Sequence, residues 1–187
     1  MHRRHLNELF TRYAAAWPAE HAIVERFSAF VAAHDDCLLR SCVPGHITAS
    51  AWIVSADGNE ALLTHHRKLG RWLQLGGHVD GEPQVERAAL REAREESGLQ
   101  DFVVEAWAGA APVPLDLDVH TIPARRDEPE HLHWDVRFLL RAPAEQRLVL
   151  SEESNDLRWF RADRLEAVTD EESVLRLARK AAAVLRT

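Results

Sequence analysis

Cysteine, tyrosine and methionine are scarce in this chain: two, one and one among 187 residues. The cysteines, Cys37 and Cys42, are too few for the multi-bridge frameworks of small secreted domains, and they lack the CxxC spacing of a metal or redox motif. Long apolar runs are missing too. No stretch approaches the roughly 20 residues that span a bilayer, and the polar start Met1-His2-Arg3-Arg4-His5 has no apolar core behind it. A reduced, cytoplasmic protein with no membrane partner is the expectation. Positive charge is in deficit, with 23 Lys and Arg against 30 Asp and Glu and a formal net charge of -7. That excludes a general surface for a nucleic-acid polymer, because phosphate backbones are held by Lys and Arg. A small phosphorylated substrate would need a metal ion and a local basic cluster.

What is present suits a compact α/β protein. Hydrophobic residues make up 46% of the chain, enough for a sizeable core in one domain with an appended element. Leu6, Leu9, Phe10, Tyr13 and Trp17 recur at helical spacing up to Pro18, and Ile23, Phe27, Phe30 and Val31 mark a second helix. Cys42-Val43-Pro44-Gly45 is a boundary, dividing an N-terminal helical extension (1–42) from the main domain (43–187). Strands are expected at 46–55 and 60–66 around the turn Asp57-Gly58, then at 102–107, 115–122, 132–141, 148–150 and 156–160. Helices are expected from about Pro83 to Ser97 and from Glu171 to Leu185. A mixed sheet between helices fits this order.

The most informative stretch is Gly76-Gly77-His78-Val79-Asp80-Gly81-Glu82, read as a glycine loop, followed by Arg91-Glu92-Ala93-Arg94-Glu95-Glu96-Ser97-Gly98-Leu99. Residues three and four apart share a helix face, so Glu92, Glu95 and Glu96 project into one arc, and Gly98 stands at a C-terminal stop. Crowded carboxylates repel unless a cation lies between them, and Mg2+ takes such oxygen ligands while sharing itself with substrate phosphates. Gly77 to Leu99 resembles the Nudix box, G-x5-E-x7-R-E-U-x-E-E-x-G-U with U a bulky aliphatic residue. Arg91, Glu92, Glu95, Glu96, Gly98 and Leu99 match. Ala93 is small at a U position. Pro83 replaces the early Glu, with Glu82 one residue before it as the stand-in partner for Arg91. The expected adjustment is a shorter loop, with Pro83 in the first helical turn. The resemblance implies a Nudix-type α/β/α sandwich with a mixed sheet, here carrying added N-terminal helices.

It also implies a hydrolase of the phosphoanhydride bond in a nucleoside diphosphate linked to another moiety. Glu92, Glu95 and Glu96 would be ligands of Mg2+ or Mn2+, helped by a backbone carbonyl near Gly76, with Arg91 in the catalytic set. The family often adds an acid from a later loop as ligand or general base. Glu153 has the better spacing before Trp159 and Glu152 is its neighbour, while His120, or His131 and His133, are rival bases. Arg67, Lys68 and Arg71 are candidates for substrate phosphates. A homodimer is a family-level expectation. The reading from another class is a non-catalytic Nudix-fold module that binds or senses a nucleotide.

Histidine, with 11 copies, is the second unusual feature. His131, His133 and Asp135 alternate along one expected strand and so share a side. With His46 and His78 from two other elements they suggest a second site, for a transition metal. The stretch from His46 to Glu82 is also similar to the isopentenyl-diphosphate isomerase family. There a His six residues before a strand Trp and a His after the loop glycine bind metal, the positions of His46 (before Trp52) and His78. Two strand carboxylates of that family would fall on His131 and His133. Its catalytic Cys is replaced by Gly76, so the isomerase chemistry does not carry over.

Overall fold

Gly45–Val54, buried along its whole length, forms the central strand β1. The computed structural model of the protein describes residues 2–125, 128–144, 147–152 and 154–186. Ahead of β1 lie helices α1 (His2–Ala16) and α2 (His21–Ala33), joined through a 3-10 turn at Pro18–Glu20. After it come β2 (Glu60–His66), β3 (Arg71–Leu73), β4 (Leu75–His78) and α3 (Val85–Ser97). Strands β5 (Val103–Val104), β6 (Asp116–Ile122), β7 (His131–Arg141) and β8 (Ser154–Arg161) follow, then α4 (Glu172–Leu185). No helix among the described residues is long and apolar enough to cross a membrane.

β1 and β7 run parallel from Gly45↔Leu132 to Val54↔Arg141, at the middle of a mixed eight-stranded sheet among the described residues. The other side of β7 is taken by β6 and β5, both antiparallel. The other side of β1 is shared. β2 pairs only at Ile53↔Leu62 and Val54↔Ala61, then leaves to pair with β8 and β3. β4 takes the vacated positions, from Thr48↔His78 to Ala51↔Leu75. This fork brings the turn into α3 alongside the first half of β1.

Strand alternation sorts the two faces. Ile47, Ala49, Ala51 and Ile53 of β1 join Val136, Phe138 and Leu140 of β7 in one core with α1, α2 and α3. Trp52 and Leu139 face the other way and pack with Val174, Leu177 and Ala181 of α4. The result is the expected α/β/α sandwich with its N-terminal helices. α1 and α2 share the larger core, where Phe27 meets the Trp134 ring edge-on at 5.2 Å and Phe30 stacks on it at 4.4 Å.

Several expected boundaries shift. Gly76-Gly77-His78 is not loop but β4, because a strand needs only a free sheet edge and β2 leaves one. α3 begins at Val85 rather than Pro83: Gln84 has non-helical φ and ψ of −98° and 84°, and its N–H is held by the Glu82 side chain at 2.9 Å. The strand expected at 102–107 shrinks to Val103–Val104, the only two of its residues that pair in register with β7. Residues 148–150 form no strand; the chain there crosses the end of α3, with Val149 N–H bonded to Ser97 O at 2.8 Å. Cys37 and Cys42 are both free and buried.

Candidate active site

The carboxylates are placed by how closely α3 approaches the sheet. Val85, Ala88, Ala89 and Ala93 are its buried positions, and the alanines keep that face thin. Gly98 ends the helix in the left-handed region at φ 73°, where a β-carbon would also stand 2.6 Å from Val149 Cβ. Glu92 lies over Gly77, and any β-carbon there would come within 2.6 Å of Glu92 Oε2. Burial raises the Glu92 pKa above its ordinary value, although Arg91 opposes the shift. Arg91 Nη2 donates to Glu92 Oε1 and to His78 O, each at 2.6 Å. Glu96 Oε2 accepts the Gly76 N–H at 2.9 Å. Glu95 is 62% exposed, with Arg91 Nε 3.8 Å from its Oε1. The expected Glu82–Arg91 pair is absent, because Glu82 is spent on Gln84 and Arg91 on the β4 carbonyl. This all-oxygen donor set over a glycine cradle fits a hard divalent cation.

His78 turns the other way. β4 separates the carboxylates from a histidine cluster on the opposite face, where His46 pairs in register with His133 and His120 lies opposite His133. Ring centroids are 5.0 Å apart for His46–His78, 4.8 Å for His46–His133 and 5.1 Å for His46–His131. One ring nitrogen from each of His46, His131 and His133 falls within a mutual 4.8 Å. His46 is buried, and neither of its ring nitrogens has a hydrogen-bond partner. His131 Nδ1 lies 2.9 Å from Pro129 O, which directs Nε2 inward. Burial, reinforced by the neighbouring imidazoles, lowers the His46 pKa to about 4 and that of His133 to about 2, and burial lowers His78 as well. Imidazoles crowded around the orphaned nitrogens of His46 are the donor chemistry that a transition metal takes.

Further along this face the polar groups are satisfied by one another. Asp135 does not join the histidines. It accepts from Ser50 Oγ at 2.7 Å, Arg137 Nε at 2.8 Å and Thr48 Oγ1 at 3.1 Å. Arg137 also reaches Asp118 at 2.7 Å and Asp116 at 3.3 Å, and Asp116 takes Arg176 and Lys180 from α4, each at 2.8 Å.

The remaining site candidates are dispersed. Arg67, Lys68 and Arg71 occupy the β2–β3 hairpin, where Arg67 donates to Ser154 O at 3.3 Å and Arg71 pairs with Glu171 at 2.6 Å. Glu152 is exposed in the turn before β8, and Glu153 lies outside the described residues. His120, a rival base in the sequence, packs 5.4 Å from His133, a contact set by β6–β7 register. Arg40 escaped the sequence reading. From the loop after α2 it binds Asp80 beyond β4, and no local motif marks it.

A sandwich whose helix sets three carboxylates over a paired-glycine strand is the frame of a hydrolase of pyrophosphate bonds, the class that the family match supports. Residues 44–179 match the model of the NUDIX domain, and the chain belongs to that family. Its members act on nucleoside diphosphate derivatives and generally use divalent metals. No curated protein sequence matches the chain. Among solved structures it is similar to a NUDIX-family hydrolase from Clostridium perfringens, with 24% identity, TM-score 0.59 and coverage of 75% of this chain and 97% of that one. It is also similar to a C. elegans Ap4A hydrolase, with 20% identity, TM-score 0.59 and coverage of 75% and 97%. The E. coli dihydroneopterin triphosphate pyrophosphohydrolase shows 17% identity, TM-score 0.55 and coverage of 75% and 96%. At these identities the likeness is one of fold.

Proposed function

We propose that this chain is a metal-dependent hydrolase of the phosphoanhydride bond in a nucleoside diphosphate linked to another moiety. The observation that carries the reading is the seating of Glu92 on Gly77 and of Glu96 on the Gly76 N–H. Glu92, Glu95 and Glu96 would hold Mg2+ or Mn2+. When bound, such ions lower the pKa of a coordinated water and offset the charge of the diphosphate. The protein's own part is positioning. Arg91 ties α3 to the His78 carbonyl and so fixes the distance between helix and glycine strand. Glu153, or Glu152, is proposed to orient and deprotonate the attacking water, with His120 as the rival base. Arg67, Lys68 and Arg71 are proposed to meet substrate phosphates. His46, His78, His131 and His133 are proposed to hold a second, transition-metal ion, supported by the orphaned nitrogens of His46.

A panel of nucleoside diphosphate derivatives, assayed with Mg2+, with Mn2+ and with chelator, tests this reading. Turnover is expected only with metal, and Glu96→Gln is expected to lower it at least about 100-fold, close to 3 kcal/mol of barrier. Turnover by the variant at the wild-type rate would remove the carboxylate site from the mechanism. Binding without turnover across the whole panel would make the chain a nucleotide-sensing module.

A further inference from the structure

We infer that Arg40, in the loop between α2 and β1, binds a phosphate group of the substrate at the mouth of the carboxylate site. The inference rests on the hydrolase reading above and adds a residue from outside the matched segment 44–179. Two contacts tie this loop to the turn that follows β4. Gly81 N–H donates to Leu38 O at 2.9 Å, and Arg40 Nε and Nη2 donate to Asp80 Oδ1 and Oδ2 at 2.8 and 3.1 Å. Asp80 stands two residues beyond His78 and three beyond Gly77, the cradle of Glu92. The ion pair therefore plants a guanidinium where β4 ends.

The charged surroundings agree with that placement. Asp80, Glu92 and Glu128 all act on the Arg40 charge, and Arg40 in turn disfavours protonation of His46 and His78. Only the Nε–Nη2 edge of Arg40 is engaged by Asp80, and its side chain is 59% exposed. The neighbouring Arg91 spends its Nη2 on Glu92 and the His78 carbonyl. A diphosphate brought to Glu92 and Glu96 by divalent cations would still carry charge on its outer oxygens. A planar guanidinium held in advance by Asp80 is suited to them, because its donors match phosphate geometry and little side-chain freedom is left to lose.

The test uses the full chain with Mg2+. Binding of a non-hydrolysable methylene-bridged ADP is measured by calorimetry, alongside hydrolysis of whichever panel substrate the wild type accepts. Arg40→Ala is expected to weaken binding at least about tenfold and to raise KM in proportion, leaving kcat nearly unchanged, the pattern of lost uniform binding. Arg40→Lys keeps the charge without the fork and is expected to fall between. Asp80→Asn breaks the same ion pair but leaves the guanidinium, and it is expected to retain affinity within about threefold. Equal losses in Arg40→Ala and Asp80→Asn would reduce Arg40 to a loop staple and overturn the inference. So would unchanged KM and affinity in Arg40→Ala while the wild type turns over. A wild type that neither binds nor hydrolyses any of the panel overturns the hydrolase reading itself, a result distinct from the other two.

Discussion

The sheet face beneath α4 carries two buried polar clusters, and they differ in how their atoms are satisfied. At the ionic end, Asp116 is fully buried and receives Arg137, Arg176 and Lys180, while Lys180 also reaches Tyr13 Oη and Glu20, each at 2.7 Å. At the histidine end, His46 is just as buried, yet both its ring nitrogens stand alone. Buried polar atoms normally find partners, and each exception calls for a reason. The ionic end supplies its own answer by fastening α1, the Pro18–Glu20 turn, α4 and two strands together. At the histidine end His131 is held by the Pro129 carbonyl and by His133, but no protein group receives either nitrogen of His46, which supports the metal site proposed there.

That contrast predicts opposite responses to mutation. The largest effect is expected from Asp116→Asn, which leaves three cations sharing a buried site with one carboxylate fewer. A loss of about 3–5 kcal/mol in urea unfolding is expected, and a loss below about 1 kcal/mol would show that the cluster does not hold the layers together. A smaller effect should appear on acidification. Burial pushes the Asp118 carboxyl up, but His120, Arg137 and Arg176 outweigh it and hold the group below the ordinary value of 3.8. Its contribution to stability is therefore present above that value and lost as pH falls through the folded-state pKa. The urea midpoint of the wild type should drop between about pH 5 and pH 2, and that of Asp118→Asn should drop less over the same window. The smallest stability change is expected from His46→Leu in metal-free protein, within about 1 kcal/mol of wild type, since an unpartnered imidazole contributes little. Under the metal-site proposal the wild type should retain a transition metal on purification, read by elemental analysis, and the same variant should lose it. A large loss of stability with unchanged metal content would make the histidines structural and erase the contrast.

Much of the carboxylate site was legible along the chain. Glu92, Glu95 and Glu96 fall within five residues of one helix, and helix periodicity alone puts them on one arc. Gly98 declared the stop for an equally local reason. The entry to that helix was misread because Glu82 prefers the Gln84 N–H next to it over Arg91 a helix away. β4 was hidden for the opposite reason. Four residues with two glycines have little strand propensity, and they become a strand because β2 leaves β1 half bare. His131 and His133 were foreseeable as a same-side pair, whereas Asp135, two residues on, was drawn off by Ser50, Thr48 and Arg137.

The sequence by itself determined the carboxylate helix, where helix periodicity governs the geometry, and the resemblance carried by the Gly77 to Leu99 spacing pointed to the family and the sandwich. Only the tertiary structure decided that the carboxylates and the histidines lie on opposite faces of β4, that His120 meets His133, and that Arg40 closes on Asp80. Those contacts depend on strand register and on which edge remains free. Both are settled by long-range packing, in which a shift of one residue turns every side chain to the other face.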